Sequence, residues 1–365
     1  MKLVFQFNMV GKRLLARTVC AVLLVIYVAS AFISMTPFDP GGSYKAVVEV
    51  LLTPTKCDTS DEVIILVHSH AANFELRSSQ RKSGQFSQNI KFVFILFQSS
   101  SVEKSETIKE HSIHGDILLG DKEESYYNLV NKHVMGLYWA VENCPDVEYI
   151  IKMDDDISVD FTGLFDVVNK NKPKNPKWMM GMLQMKLPIL RNKISKWAVT
   201  EEEFSGQFYP DFLSGWCYVS TPSAVRDILR LVEDEDIFWI DDVWVTGVLA
   251  HKAELQLISL NMYYTVYRYK VEAIFDLTKL TYLVFREHLD CCIRDTSLKC
   301  SYLVGPSDGD HRVIEQAASH ADTCRARRET CRRRRTKEQD LSNTCNITNP
   351  LFIPSYGVLA EVIIV

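Results

Sequence analysis

Apolar positions along this chain fall in short, unbroken runs. Val63 to Val67, Phe92 to Phe97, Val147 to Ile151 and Trp178 to Leu183 each read as a strand buried on both faces. Residues Ser125 to Glu142 instead repeat with helical spacing, and Val130, Val134, Leu137 and Val141 form one buried face. A second helix is predicted near Phe161 to Val168. A third opens at Thr221-Pro222, an N-cap followed by proline at the first helical position, with Val225, Ile228, Leu229 and Val232 inward. Asp116 to Leu119 is a short apolar element after a polar loop. The order strand, helix, strand, helix, strand predicts a Rossmann-like α/β sheet.

The N-terminus follows a different pattern. Lys12, Arg13 and Arg17 precede residues 18–35, which are uncharged, strongly apolar and about long enough to cross a bilayer. The positive-inside rule leaves residues 1–17 cytoplasmic and the larger part outside. A retained signal anchor is the expectation. A cleaved signal peptide is the rival, since Ala29-Ser30-Ala31 resembles a cleavage site. Residues 36–58, with Pro37, Pro40, Gly41, Gly42 and Pro54, read as a stem. The sheet domain is expected over 59–290. Beyond it, 291–365 is a cysteine- and arginine-rich extension, either an accessory region or disordered.

Composition adds one exclusion and one compartment. The 365 residues are 47% hydrophobic and 24% charged with net charge −5, which gives no electrostatic footprint for nucleic acid. Ten cysteines fit an oxidising lumen for all but Cys20, which lies in the apolar N-terminal segment. Nine remain, so one thiol is left over if the rest pair. Asn346-Ile347-Thr348 is a glycosylation sequon.

Candidate chemistry begins where the Val147 to Ile151 run ends, in Asp154, Asp155 and Asp156. Three adjacent acids repel one another unless a cation sits among them. In open α/β sheets ligands bind beyond the carboxyl ends of strands. Extended backbone would put Asp154 and Asp156 on one side, a clamp for a hard divalent ion on a diphosphate. An acidic turn capping the next helix is the alternative. Arg77 and Arg81 lie four apart on a helical pattern, a spacing that suits either a diphosphate or a solvated basic face. His68, Ser69 and His70 end the first strand, where the two histidines are candidate ligands or the three residues a solvated turn. Asp241 and Asp242 open an apolar segment. They complement a helix dipole or supply a general base.

Five segments between about 60 and 250 together resemble the β-1,3-galactosyltransferase family, glycosyltransferase family 31. They are Arg77 to Gly84, Asp121 to Lys132, Lys152 to Val159, Tyr209 to Ser220 and Asp241 to Gly247. The first lacks the family's tryptophan at position 84, and the third has Ser158 where the family has phenylalanine. Those departures mark a divergent member. The resemblance implies a GT-A fold, a nucleotide-sugar-binding α/β sheet behind the N-terminal transmembrane helix. It also implies a single-pass type II Golgi membrane protein anchored through 18–35, with its catalytic domain luminal. A Mn2+ ion would hold a UDP-sugar donor, and a hexose, galactose above all, would pass with inversion to a glycan acceptor on protein or lipid in β-1,3 linkage.

Carried over residue by residue, Asp154 and Asp156 would serve the metal, and Asp154 also the nucleotide. Asp155 would hold sugar and ribose, and Arg77 and Arg81 would approach the nucleotide. Asp242 would be the catalytic base, with Asp241 the fallback. His288 would be a late metal ligand, with His251 its alternative. A catalytically inactive relative, acting as a glycan binder or chaperone in the secretory pathway, is the competing reading. A metal-dependent phosphoesterase would need more clustered histidine and carboxylate ligands than the sequence offers.

Overall fold

The computed structural model describes residues 48–264 except 88 and 193–196, residues 303–326, and a few short pieces elsewhere. The expected membrane segment 18–35 and His288 lie outside the described residues. Among the described residues no helix is long and apolar enough to cross a membrane.

Eight strands form one mixed sheet. In chain order they are β1 (Val50–Leu52), β2 (Val63–His68), β3 (Ile90–Gln98), β4 (Ile117–Glu123), β5 (Tyr149–Asp154), β7 (Trp178–Gln184), β8 (Phe212–Ser220) and β9 (Gln256–Ser259). Their spatial order is β1-β4-β3-β2-β5-β8-β7-β9. β4, β3, β2 and β5 run parallel. β8 is antiparallel to both β5 and β7, and β1 is antiparallel to β4. The apolar runs read from sequence lie at the centre of this sheet, with Ile64, Ile65, Phe94, Ile95, Ile150 and Ile151 fully buried.

Five helices cross between strands: α1 (Phe74–Gly84), α2 (Ser101–His114), α3 (Leu129–Asn143), α4 (Phe161–Asn171) and α5 (Pro222–Leu229). α3 follows a 3-10 turn, Tyr126–Asn128, and puts Val130, Val134 and Leu137 into the core beside Ile95 and Leu66. α5 starts as expected, with the Thr221 hydroxyl accepting from Ala224 N at 3.1 Å. α2 replaces the expected polar loop. Its face buries only Thr107 and Glu110, so no apolar period betrays it. Local signals hold its ends: a Ser100–Glu103 capping box at the start and Gly115 at φ 65 at the end.

The structure shifts both expected boundaries of the sheet domain. Val50–Leu52, inside the expected stem, adds a strand to the sheet edge, and Cys57 is disulfide-bonded to Cys144. From the expected C-terminal extension, β10 (Val304–Pro306) pairs with the short strand β6 (Ile157–Val159). Helix α6 (His311–Ala326) follows it. Glu315 accepts from Ser79 Oγ at 2.7 Å and Lys82 Nζ at 2.8 Å, and Arg325 pairs with Asp160, so α6 is tied to α1 and to the start of α4.

Candidate active site

β5 ends at Asp154 and the chain turns through Asp155 and Asp156 before β6, so strand alternation does not continue to Asp156. The three acids therefore take separate positions. Asp155 and Asp156 line a cavity of about 380 Å3, together with Asn73, Asp308 and Gly309. Asp154 instead meets Lys152, two residues earlier on the same strand face.

Lys152 is the residue that joins the two acidic centres. Its side chain is 2% exposed. Nζ donates to Asp154 Oδ1 at 2.7 Å and to Gly215 O at 2.7 Å, and lies 4.0 Å from Asp241 Oδ2. Burial alone would discharge it, but the charges of Asp154 and Asp241 outweigh burial and raise its pKa.

β8 brings the second acidic centre to this strand end. It runs against β5 with Met153 opposite Cys217, so Trp216 falls opposite Asp154 and Gly215 lies one residue past the end of β5. A Cβ on Gly215 would come within 2.9 Å of Lys152 Nζ and 3.5 Å of Asp242 Cβ, so only glycine fits without displacement. Asp242 precedes a π-helical turn, Val243–Leu249, whose Thr246 hydroxyl bonds the Leu213 backbone at 2.9 Å. Asp242 Oδ2 accepts from Gly215 N at 3.1 Å and Oδ1 from Val243 N at 2.9 Å.

The neighbouring acids are pushed apart in affinity for protons. Burial and the Asp241 charge raise the pKa of Asp242. Burial also works against the Asp241 anion, but Lys152 and His133 overcome it and hold that carboxyl low. His133, buried on α3, lies 2.8 Å from Asp241 Oδ2 through Nδ1 and 2.6 Å from Tyr218 OH through Nε2. Burial lowers its pKa, so the neutral ring donates from Nδ1 and accepts the tyrosine proton at Nε2. One carboxylate kept charged beside one kept basic is an arrangement for moving a proton at Asp242.

Around the cavity the acids are held from behind. Asp155 Oδ2 accepts from Ser69 Oγ at 2.6 Å and Asn73 Nδ2 at 3.0 Å. Gln80 Nε2 bonds the carbonyls of Asp155 and Ile157. Asp156 is pushed up to about 7 by burial and by the charges of Asp154, Asp155 and Asp308. Ser307 N donates to the Asp156 carbonyl at 2.6 Å, so the segment after β10 shapes this turn.

Arg77 and Arg81 correct the expectation. They do share a helix face, but that face meets protein carboxylates. Arg77 is 1% exposed and pairs with Glu110 at 2.6 Å, while its Nη1 donates to Ser69 Oγ at 3.0 Å. Arg81 pairs with Glu110 and Asp116, both at 2.7 Å. Glu110 comes from α2, the helix the apolar pattern does not reveal. Arg77 thus acts on Asp155 through Ser69, as a positioning residue. His68 is buried against His133 with ring centroids 5.2 Å apart, and His70 Nδ1 accepts from Ala72 N. His251 is exposed on the short helix Ala250–Lys252.

Sequence reasoning passed over Lys152, His133, Ser69 and Asn73. A lysine inside an otherwise apolar strand, two residues before the first acid, was the available signal for Lys152. Nothing comparable marks the others.

A mixed α/β sheet thus carries carboxylates at a central strand end, joined through Lys152 to an acid of raised proton affinity on a neighbouring element. A family model described as galactosyltransferase matches residues 76–261, just over half of the chain. Among curated proteins, beta-1,3-galactosyltransferase 5 of Gorilla gorilla gorilla is 28% identical over 237 residues, 62% of this chain and 79% of that protein. The Mus musculus protein of that name is 30% identical over 193 residues, covering 52% of this chain and 62% of the relative. N-acetyllactosaminide beta-1,3-N-acetylglucosaminyltransferase 4 of Homo sapiens is 26% identical over 203 residues, 54% of this chain and 53% of the relative. The chain belongs to the galactosyltransferase family and is a UDP-sugar-dependent hexosyltransferase.

Proposed function

We propose that this chain transfers a hexose, galactose foremost, from UDP to a glycan hydroxyl in β-1,3 linkage with inversion, on a GT-A scaffold in the Golgi lumen. The carrying observation is the sharing of Lys152 by Asp154 and Asp241, which brings the Asp241–Asp242 pair and the strand-end acids around one buried lysine. Asp242 takes the proton of the acceptor hydroxyl as its oxygen attacks the anomeric carbon, and the bond to the UDP oxygen breaks on the opposite face. Gly215 N–H and Val243 N–H fix the Asp242 carboxylate for that step. Asp155, braced by Ser69 and Asn73, is set to accept hydrogen bonds from donor hydroxyls.

The donor set fits a hard divalent ion such as Mn2+. Among the described residues no cluster of three or more ligand-type side chains is present. Asp156, which lines the cavity, would hold such an ion together with substrate phosphates, with Asp154, itself paired with Lys152, as the second candidate carboxylate. When bound, the ion neutralises charge developing on the leaving UDP. Luminal placement is supported by the Cys57–Cys144 disulfide.

The test is UDP release by the purified full-length chain with Mn2+, a panel of UDP-sugars and simple β-galactosides and β-N-acetylglucosaminides. Release with one donor and one acceptor class, abolished by EDTA, is the expected result. Transfer that persists in EDTA would remove the metal from the reading. A folded chain that neither binds UDP nor consumes any donor would overturn the transferase reading.

A further inference from the structure

Four aromatic rings from three separate stretches meet beside the Asp241–Asp242 pair. Trp239 lies three residues before Asp242, and its indole N–H is fixed on Glu203 Oε1 at 3.1 Å. Tyr126 and Tyr127, on the 3-10 turn, have ring centroids 5.8 and 5.0 Å from the Trp239 ring. Trp197 donates its indole N–H to the Tyr126 hydroxyl. Fold stability does not require these rings to face water, yet Tyr127 is 65% exposed, Tyr126 41% and Trp197 37%.

The turn that carries the tyrosines is anchored on both sides. Asn128 Nδ2 donates to the Glu123 carbonyl at 2.9 Å, and Glu124 is clamped by Lys132 at 2.7 Å. The platform is therefore fixed. Its position relative to the chemistry is close: the carboxylates of Asp242, Asp241 and Asp154 all act electrostatically on the Tyr126 hydroxyl. Exposed apolar ring faces with hydroxyl and indole edges, rimmed by carboxylates, match one ligand class well. A pyranose offers a C–H face to stack and hydroxyls to bond.

We infer that Tyr126, Tyr127, Trp197 and Trp239 form the acceptor subsite, a stacking platform for the pyranose ring whose hydroxyl Asp242 deprotonates. This rests on the transfer reading above and goes further by assigning the residues that select the acceptor. A bilayer surface is the competing occupant, since exposed tyrosine and tryptophan also favour membrane interfaces. The acidic pair beside the patch favours the sugar over an anionic headgroup.

The test is direct binding, so it does not depend on turnover. Lactose and N-acetyllactosamine are titrated into the full-length chain in the presence of UDP, read by saturation-transfer NMR and intrinsic tryptophan fluorescence. Tyr127→Ala and Trp197→Ala should each weaken binding of the disaccharide by about 3- to 10-fold, the worth of one aromatic contact. Tyr127→Phe should restore it, because the face and not the hydroxyl does the stacking. UDP affinity and the circular dichroism spectrum check that each variant is folded. Unchanged binding in both alanine variants, or no disaccharide binding by the parent chain, overturns the platform. So does a loss, in the variants, of partition onto phosphatidylcholine–phosphatidylserine vesicles without a change in sugar binding. Sugar binding without consumption of any donor would sink the transfer reading and leave the platform standing.

Discussion

At the scale of single residues, the proposed site depends on two half-buried acids with opposite tendencies. As the proposed base Asp242 would work only when ionised, and burial with the Asp241 charge raises its pKa. kcat/KM is therefore expected to fall about tenfold per pH unit below that raised value, an acidic limb displaced upward from that of a free carboxylate. Were Mn2+ bound as proposed, saturating metal would keep Asp156 ionised and out of the profile. Asp241→Asn removes the like charge, so the limb should move to lower pH, whereas Asp242→Asn should cost on the order of 10²–10⁴ in kcat on the plateau above the limb and lose the limb itself. A limb that stays fixed in Asp241→Asn would mean another group titrates. Glu110 makes a second residue-scale case. It is 3% exposed, and although burial opposes its ionisation, Arg77 and Arg81 hold its pKa low. Glu110→Ala strands the Arg77 charge in the interior and should destabilise the fold by about 3–5 kcal/mol in chemical denaturation. The parent pair stabilises fully above the pKa of an unfolded glutamate, and this contribution fades as pH falls through the depressed folded value.

At the scale of elements, β8 decides whether base and strand-end acids meet. Its antiparallel direction carries Gly215 past the end of β5, and Gly215 O holds Lys152. Gly215→Ala puts a methyl group 2.9 Å from Lys152 Nζ, at a residue in ordinary strand backbone. The lysine must then leave Gly215 O or Asp154. The expected outcome is a kcat at least tenfold lower, with a change in unfolding free energy of only about 1 kcal/mol. Equal losses in both would show that the glycine serves packing alone. The sequence made the strands of this arrangement legible because each is an unbroken apolar run in the sheet interior. It also made Asp154–Asp156 and Asp241–Asp242 legible, since acids at the ends of such runs are unusual. It did not reveal α2, whose inward face is Thr107 and Glu110, and so the arginines on α1 read as free ligands. Their partner was a carboxylate on a helix with no apolar signature.

At the scale of the whole molecule, the sheet domain is wider than its apolar pattern. β10 has three residues and α6 buries mainly Val313, Ile314 and alanines, a pattern too faint to stand out among cysteines and arginines. These late residues nevertheless brace the Asp156 turn through Ser307 N and dock on α1 through Glu315. The other late-recognised tie lies at the start. Cysteine count alone gave no pairing, yet Cys57 bonds Cys144, 87 residues away, where α3 ends. That bond closes a loop containing β2, β3, β4 and three helices, so it removes much of the freedom of the unfolded chain. Chain entropy for a loop of this size is worth about 4–5 kcal/mol, of which engineered removals typically recover about 2–5. The bonded cysteines precede the starts of the parallel strands β2 and β5, whereas Lys152 and Asp154 lie toward the other end of β5. Paired substitution Cys57→Ser with Cys144→Ser should therefore lower the unfolding free energy by that amount while leaving UDP affinity per folded molecule unchanged. Cys217, free, buried and pushed up to about 12 by burial, should stay unreactive toward iodoacetamide in the folded parent and in this variant alike. Rapid labelling of Cys217 in the variant below its unfolding transition would show instead that the disulfide also holds the sheet closed around the strand-end acids.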